Sequence, residues 1–310
     1  MKLNPPKFYY TVHPADTLRS RLIPNRRIMV VATAYWDAKK NKFRVRRPPA
    51  DHIKSKAGRH ARLAIDSGGF TAHKRWGKYP WSYEQYIEFI RKMSRDVTLD
   101  GHACPPYFCA VMDYACEREV NRSAYETNKS KAGRHARRIE ATIENEIALR
   151  QLAPDLPWLG VLQGNTLEER AWDITQRQEL ELILIEMGIG SICGRSPRES
   201  KEVIRFYMQQ LPHVRYHAFG LDIRAFDGAD DVYWAIASWD SYTWCWGRGM
   251  KHMRDPQRQH IEGETWSQYT LRLAQQFEKN TLNKRLYARR QRNFFDLTLL
   301  AKSSSVKKMM

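Results

Sequence analysis

"IMVVATAYWD", residues 28–37, is an apolar run that ends in small and aromatic residues and holds no glycine. Its aliphatic stretch reads as a buried strand. In an open doubly wound sheet the first strand usually runs into a glycine-rich phosphate loop. Nothing of that kind follows here. Further short apolar runs alternate with longer amphipathic stretches: "LAID" (63–66), "YFCAVMD" (107–113), "WLGVLQG" (158–164), "LILIEMG" (182–188), "YHAFGL" (216–221) and a short piece before "SWDSYTW" (238–244). Six or seven strands alternating with helices imply a parallel α/β sheet. Asp66, Asp113, Gln163-Gly164, Gly194, Gly220 and Asp240 each fall at or just after the C-terminal end of a different strand. Barrels assemble their active sites from these ends. The expected fold is an α/β, single-domain (β/α)8 TIM barrel over 1–262. A C-terminal helical extension (263–300) and a disordered basic tail (301–310) are expected to follow.

The intervening segments carry helix signals. In "WSYEQYIEFIRKM" (81–93), Tyr83, Tyr86, Ile90 and Met93 recur at helical spacing, and Ser82 with Gln85 forms a capping box. "TLEE" (166–169) and "SPRE" (196–199) start two more helices, the second with Pro197 at the first helical position. Ala136, Ile139, Ile143 and Ile147 mark one apolar face, and Trp266, Tyr269, Leu273 and Phe277 another.

The 310-residue chain is 42% hydrophobic, enough for a sizeable core. Lys and Arg number 52 against 34 Asp and Glu, a formal net charge of +18. That balance makes a polyanion the first partner to consider, nucleic acid ahead of an anionic membrane. No apolar run is long enough to cross a membrane. The N-terminal "MKLNPPKFYY" lacks an apolar signal core, so a cytoplasmic location is expected. Five scattered cysteines (Cys104, Cys109, Cys116, Cys193 and Cys245) read as free thiols. His102, Cys104, Cys109 and Cys116 lack a C-x-x-C knuckle, and no metal or cofactor is expected. The nonapeptide "KSKAGRHAR" occurs at 54–62 and at 129–137. Its Lys54, Lys56, Arg59, Lys129, Lys131 and Arg134 suit phosphate contacts, or two solvated basic connections.

"LAIDSGGFTAH" (63–73) places a carboxylate, Asp66, where a strand gives way to a loop. A tight turn capped by that Asp is one reading. The other comes from the whole series: "DSGGF" (66–70), "MDYA" (112–115), "GVLQG" (160–164), "GIGSICGR" (188–195), "HAFGL" (217–221) and "SWDSYTW" (238–244). In this order they resemble the tRNA-guanine transglycosylase superfamily over roughly residues 60–245, most closely its branch from phages and bacterial modification islands that inserts 7-deazaguanines into DNA. The resemblance implies a (β/α)8 barrel that swaps a guanine for a deazapurine at C1′. It implies Asp240 as nucleophile and Asp66 as acid/base. Asp113, Gln163, Gly164, Gly194 and Ser67 would bind the base. The chemistry is coherent on its own terms. Two carboxylates divide nucleophilic and acid/base work in retaining glycosyl transfer, and an Asp with a Gln complements the donors and acceptor of a guanine edge. A nucleotide in a duplex must first flip out, and Tyr79, Trp81, Trp239 or Trp244 could stack on exposed bases.

The sequence also departs from the superfamily. The tRNA enzymes carry a zinc site after the nucleophile, whereas here only Cys245, His252 and His260 follow Asp240. Thr71 follows "DSGGF" where the tRNA enzymes usually have Gln. The expected partners are DNA, with tRNA as the alternative, and a 7-deazaguanine base, with room for a homodimer and no membrane. A catalytically silent nucleic-acid-binding barrel is the reading from another class.

Overall fold

The computed structural model describes residues 6–12, 27–45, 62–95, 106–117 and 131–241, together with Arg272 and Lys279. The strands are β1 (Lys7–Val12), β2 (Arg27–Val31), β3 (Trp36–Asp37), β4 (Lys42–Phe43), β5 (Arg62–Asp66), β6 (Phe108–Ala110), β7 (Trp158–Leu159), β8 (Val161–Leu162), β9 (Glu186–Ile189), β10 (Arg215–Ala218) and β11 (Ile236–Ser241). The α-helices are α1 (Gly69–Trp76), α2 (Tyr83–Arg95), α3 (Lys131–Leu152), α4 (Leu167–Glu179), α5 (Pro197–Gln210) and α6 (Asp230–Ala235).

Nine strands form one sheet in the order β7-β6-β5-β2-β1-β11-β10-β9-β8. Every pairing in it is parallel. β3 and β4 form a separate antiparallel pair. The end strands of the order, β7 and β8, flank the single residue Gly160. The sheet is therefore nearly closed and barrel-like. Gly160 is needed there because a Cβ would lie 2.5 Å from a carboxylate oxygen of Glu146, which reaches in from α3.

Side chains alternate across the strands with the period of two that a pleat imposes. Phe8, Tyr10, Ile28, Val30, Leu63 and Ile65 pack outward in one core with helix residues such as Tyr86, Ile90, Ile204 and Tyr207. Tyr9, Met29, Ala64, Phe108 and Leu159, out of phase with them, form a second, inner cluster. This alternation decides which residues face the interior of the sheet, and so where the candidate site lies.

The expected capping box and both further helix starts form. Ser82 and Gln85 exchange hydrogen bonds at the start of α2, and Thr166–Glu169 and Ser196–Glu199 cap α4 and α5. Two strand expectations need correction. β1, "KFYYTV", was not foreseen, because two tyrosines and a lysine do not read as a buried strand. Tyr9 and Tyr10 are nonetheless buried, since a parallel sheet is covered on both faces. The expected strand at 182–188 begins only at Glu186, and Ile185 just before it is 73% exposed. α3 buries Ile139 and Ile143 as expected, but Arg138, Thr142, Asn145 and Glu146 are buried with them. No helix among the described residues is long and apolar enough to cross a membrane.

Candidate active site

Asp66 closes β5 two residues after the inner-facing Ala64, so it faces the same way. Its Oδ1 accepts the Gly68 N–H at 2.9 Å. Burial, then the charge of Asp113, and less strongly that of Asp240, push its carboxyl up to about 8 against the pull of that N–H. Asp66 therefore holds a proton at neutral pH.

Asp240 lies inside β11 rather than after it, opposite Tyr9 of β1 in the parallel register. Trp239 points outward against Phe8 and Phe226, so Asp240 and Ser238 point inward. Asp240 is 5% exposed. Thr11, two residues after Tyr9, donates its hydroxyl to Oδ2 at 3.1 Å. The Gly220 N–H donates to Oδ1 at 3.0 Å. His217 Nε2 lies 3.4 Å from the same oxygen. In the strand order β11-β1-β2-β5, Asp240 and Asp66 stand three strands apart, yet the charge of one raises the other's carboxyl.

Asp113 follows β6 and collects neutral donors. Ser67 Oγ donates to Oδ1 at 2.8 Å and Gln163 Nε2 to Oδ2 at 2.7 Å. Tyr79 donates its hydroxyl to the Asp113 carbonyl at 2.8 Å. Burial pushes the Asp113 carboxyl upward while these donors oppose it. Gly69, at the start of α1, is pressed against Asp113, and a Cβ there would sit 2.8 Å from its carboxylate. Ser191 fixes the orientation of the Gln163 amide. The Cys116 N–H donates to Ser191 Oγ at 2.8 Å. Ser191 then spends its own proton on Gln163 Oε1, which turns Nε2 toward Asp113.

Two helices brace this cluster from behind. From α3, Asn145 Nδ2 donates to the Met112 carbonyl (2.5 Å), Thr142 accepts the Tyr114 N–H (2.8 Å) and Arg138 donates to the Ala115 carbonyl (2.5 Å). From α4, Asp173 accepts the Gln163 N–H at 2.9 Å. Asp173 is paired with Arg177 (2.9 Å), Arg177 with Glu146 (2.5 Å), and Glu146 with Arg150 (2.7 Å). Arg170, fully buried, donates to the Ser191 carbonyl (3.0 Å) and to the Tyr207 hydroxyl (2.9 Å). Glu117, 8% exposed beside Cys116, has an Oε2 without a hydrogen-bond partner among the described residues. Burial, together with the Asp113 charge, pushes its carboxyl up to about 7.

The structure thus gathers Asp66, Ser67, Asp113 and Gln163 directly and brings Asp240 within electrostatic reach. Gly164 is packed against Arg170, where a Cβ would lie 2.8 Å from the Arg170 side chain. Gly194 is exposed with open space around it. Gly190, four residues earlier, instead abuts the Gln163 amide. Trp239, expected to stack on nucleic acid, is 1% exposed and cannot do so without unpacking the barrel wall. Tyr79 and Trp81 are core residues as well, at 7% and 5% exposure. Arg134 lies on α3, partly exposed, and Lys131 begins that helix. Lys54, Lys56, Arg59, Lys129 and Trp244 lie outside the described residues, as do Cys104, Cys245 and all of the C-terminal extension except Arg272 and Lys279. Among the described residues no group of three His, Cys, Asp or Glu is placed to hold a metal ion.

Sequence reasoning missed Thr11, His217 and Ser238, as well as Ser191 and the Asp173–Arg177–Glu146 chain. His217 and Ser238 had a signal as the first residues of two quoted motifs, and Ser238 stands two residues before Asp240, the step that puts both on one face of a strand. No protein-family model matches this chain, and no curated protein matches it.

Proposed function

We propose that this chain is a transglycosylase that exchanges guanine in DNA for a 7-deazaguanine through a covalent Asp240–sugar intermediate, on a (β/α)8 barrel. The barrel reading is supported by the strand order, whose two ends meet across Gly160. Counting β7 and β8 as one strand interrupted at that glycine gives the eightfold ring.

The functional reading rests on one observation. Two inward-facing carboxyls, Asp66 and Asp240, lie at one end of the sheet, and burial with the charges of Asp113 and Asp240 pushes the Asp66 carboxyl up to about 8, so that it can hold a proton at neutral pH. That division is what nucleophilic displacement with acid assistance requires. Asp240 Oδ2 attacks C1′ as the C1′–N9 bond breaks. The bonding pair leaves with guanine, which takes the Asp66 proton. The incoming base then returns a proton from its own N–H to Asp66 and attacks C1′. The C1′–O bond breaks, and Asp240 leaves as a carboxylate.

The Asp113–Gln163 pair supplies the complement to a guanine-like edge. The carboxylate accepts from N1–H and the exocyclic amine, and the Gln163 amide donates to O6. In the free protein these two groups satisfy one another at 2.7 Å, so the base replaces an existing hydrogen bond and leaves no polar group bare. The formal charge of +18 favours a nucleic acid over a free nucleoside as the sugar donor.

The test is base exchange by purified protein with a labelled 7-deazaguanine, offered duplex DNA and tRNA in parallel. Label entering DNA supports the reading. Label entering tRNA instead transfers the chemistry to the other substrate. Salt-sensitive binding with no label in either supports the silent barrel.

A further inference from the structure

We propose that His217 is a positioning residue for Asp240, held in one tautomer by Ser238, and that it selects which carboxylate oxygen attacks the sugar. This inference rests on the transglycosylase reading and extends it to two residues of the quoted motifs that the resemblance left without a role.

The placement follows from the strands. Tyr216 points outward, its hydroxyl donating to the α5 carbonyls of Tyr207 or Leu211 at 2.9 Å. His217 therefore points inward. The parallel register sets it opposite Ser238, two residues before Asp240. His217 Nδ1 is 2.8 Å from Ser238 Oγ, and Nε2 is 3.4 Å from Asp240 Oδ1. The ring is 2% exposed and wedged between Phe108 and Phe219, with centroids 4.7 and 4.5 Å away. It has no room to turn over.

A neutral imidazole carries one N–H and one lone pair. With the lone pair on Nε2, two electron-rich atoms would face one another at Asp240. The favoured arrangement has Ser238 donating to Nδ1 and leaves the hydrogen on Nε2, on the side of Oδ1. Among the described residues Oδ1 accepts the Gly220 N–H, and the His217 Nε2 lies 3.4 Å away without a hydrogen bond in the free protein, a buried donor that a small shift of the carboxylate would satisfy. Among the described residues, Oδ2 has only the Thr11 hydroxyl, which a small rotation removes. Oδ2 is the oxygen free to attack, and Oδ1 becomes the ester carbonyl. When the second base displaces Asp240, the same two donors receive the negative charge returning to the carboxylate.

This arrangement makes a signed prediction. Removing the Nε2–H makes Asp240 a poorer leaving group, so the covalent adduct accumulates while turnover slows. The experiment traps the protein–DNA adduct on a denaturing gel during steady-state exchange with a 7-deazaguanine. In His217→Leu the trapped fraction should rise several-fold while turnover falls about tenfold or more. His217→Gln, whose amide nitrogen reaches the Nε2 position, should restore both toward wild type. A fall in adduct that tracks turnover, or no change in either, overturns the proposal.

Imidazole 15N shifts of the wild-type chain provide a readout that needs no activity. They should report a protonated Nε2 and a bare Nδ1 at His217, with mixed tautomers in Ser238→Ala. An Nδ1–H signal overturns the assignment even if exchange proceeds. Wild type that yields neither exchange nor adduct overturns the transglycosylase reading, and with it the role given to His217, whatever the tautomer.

Discussion

The molecule encloses carboxylates in two places, fully in one and partly in the other, and treats them in opposite ways. Behind the sheet, Glu146 and Asp173 are fully buried and each meets an arginine, in the run Arg150–Glu146–Arg177–Asp173. At the C-terminal ends of the strands, Asp66 and Asp113 are given hydroxyl, amide and backbone donors and, among the described residues, no lysine or arginine within ion-pair distance. Among the described residues, Asp240 has His217 as its one basic group within ion-pair distance. In the first region the charges are neutralised and fixed. In the second, burial and the neighbouring carboxyls Asp113 and Asp240 push the Asp66 carboxyl up to about 8. Among the described residues, the acids behind the sheet are paired with arginine, and those at the strand ends have no lysine or arginine within ion-pair distance, the setting in which the proposed chemistry would operate.

The contrast is broken most severely at Asp66. Asp66→Asn should lower base exchange by about 10²–10⁴-fold, the usual weight of a general acid. The same variant should gain stability relative to wild type, with a definite pH dependence. The Asp66 carboxyl keeps its proton in the fold up to about pH 8, whereas an unfolded Asp loses it near pH 4. Wild type therefore loses stability as pH rises through that window, and the Asn variant does not. The Tm difference favouring Asn should widen between those limits and level off above them. A difference flat with pH contradicts the protonated carboxyl.

Arg177→Met probes the other region. It strands Asp173 and half of Glu146 without a cation, and should cost about 3–5 kcal/mol in denaturant unfolding. A loss below 1 kcal/mol would mean that the run does not fix the frame. Ser191→Ala is a smaller change between the two regions. It frees the Gln163 amide to turn and leaves the buried Cys116 N–H without its acceptor, and should raise KM for the base by the equivalent of about 1 kcal/mol while costing about 1–3 kcal/mol of stability. The smallest effect is expected at the exposed Arg91–Asp155 pair (3.0 Å). Arg91→Ala should shift stability by about 1 kcal/mol or less, a surface reference for the buried run.

The layout of strands and helices was largely legible because capping boxes and apolar runs are local signals. Ser82, Thr166 and Ser196 start their helices as their spacing implies. β1 was not legible, since burial of Tyr9 and Tyr10 depends on helices and a strand β11 that lie more than 200 residues on. The acids of the site were legible as carboxylates at strand ends. Their partners were not. Thr11 meets Asp240 across 229 positions of sequence and Ser191 meets Gln163 across 28, and only the closing of the sheet brings them together. Trp239 misled for a related reason. An aromatic beside a candidate nucleophile reads as a stacking platform, but in a strand its neighbour's side chain faces the opposite way.

The central claim is that Asp240 forms a bond to the sugar. The most direct measurement is mass spectrometry of the peptide containing Asp240 after the protein is quenched during exchange on DNA. A nucleotide mass on Asp240, present in wild type and missing in Asp240→Asn of unchanged Tm, is the result this account predicts. An adduct on another residue, or exchange that persists in Asp240→Asn, would contradict it.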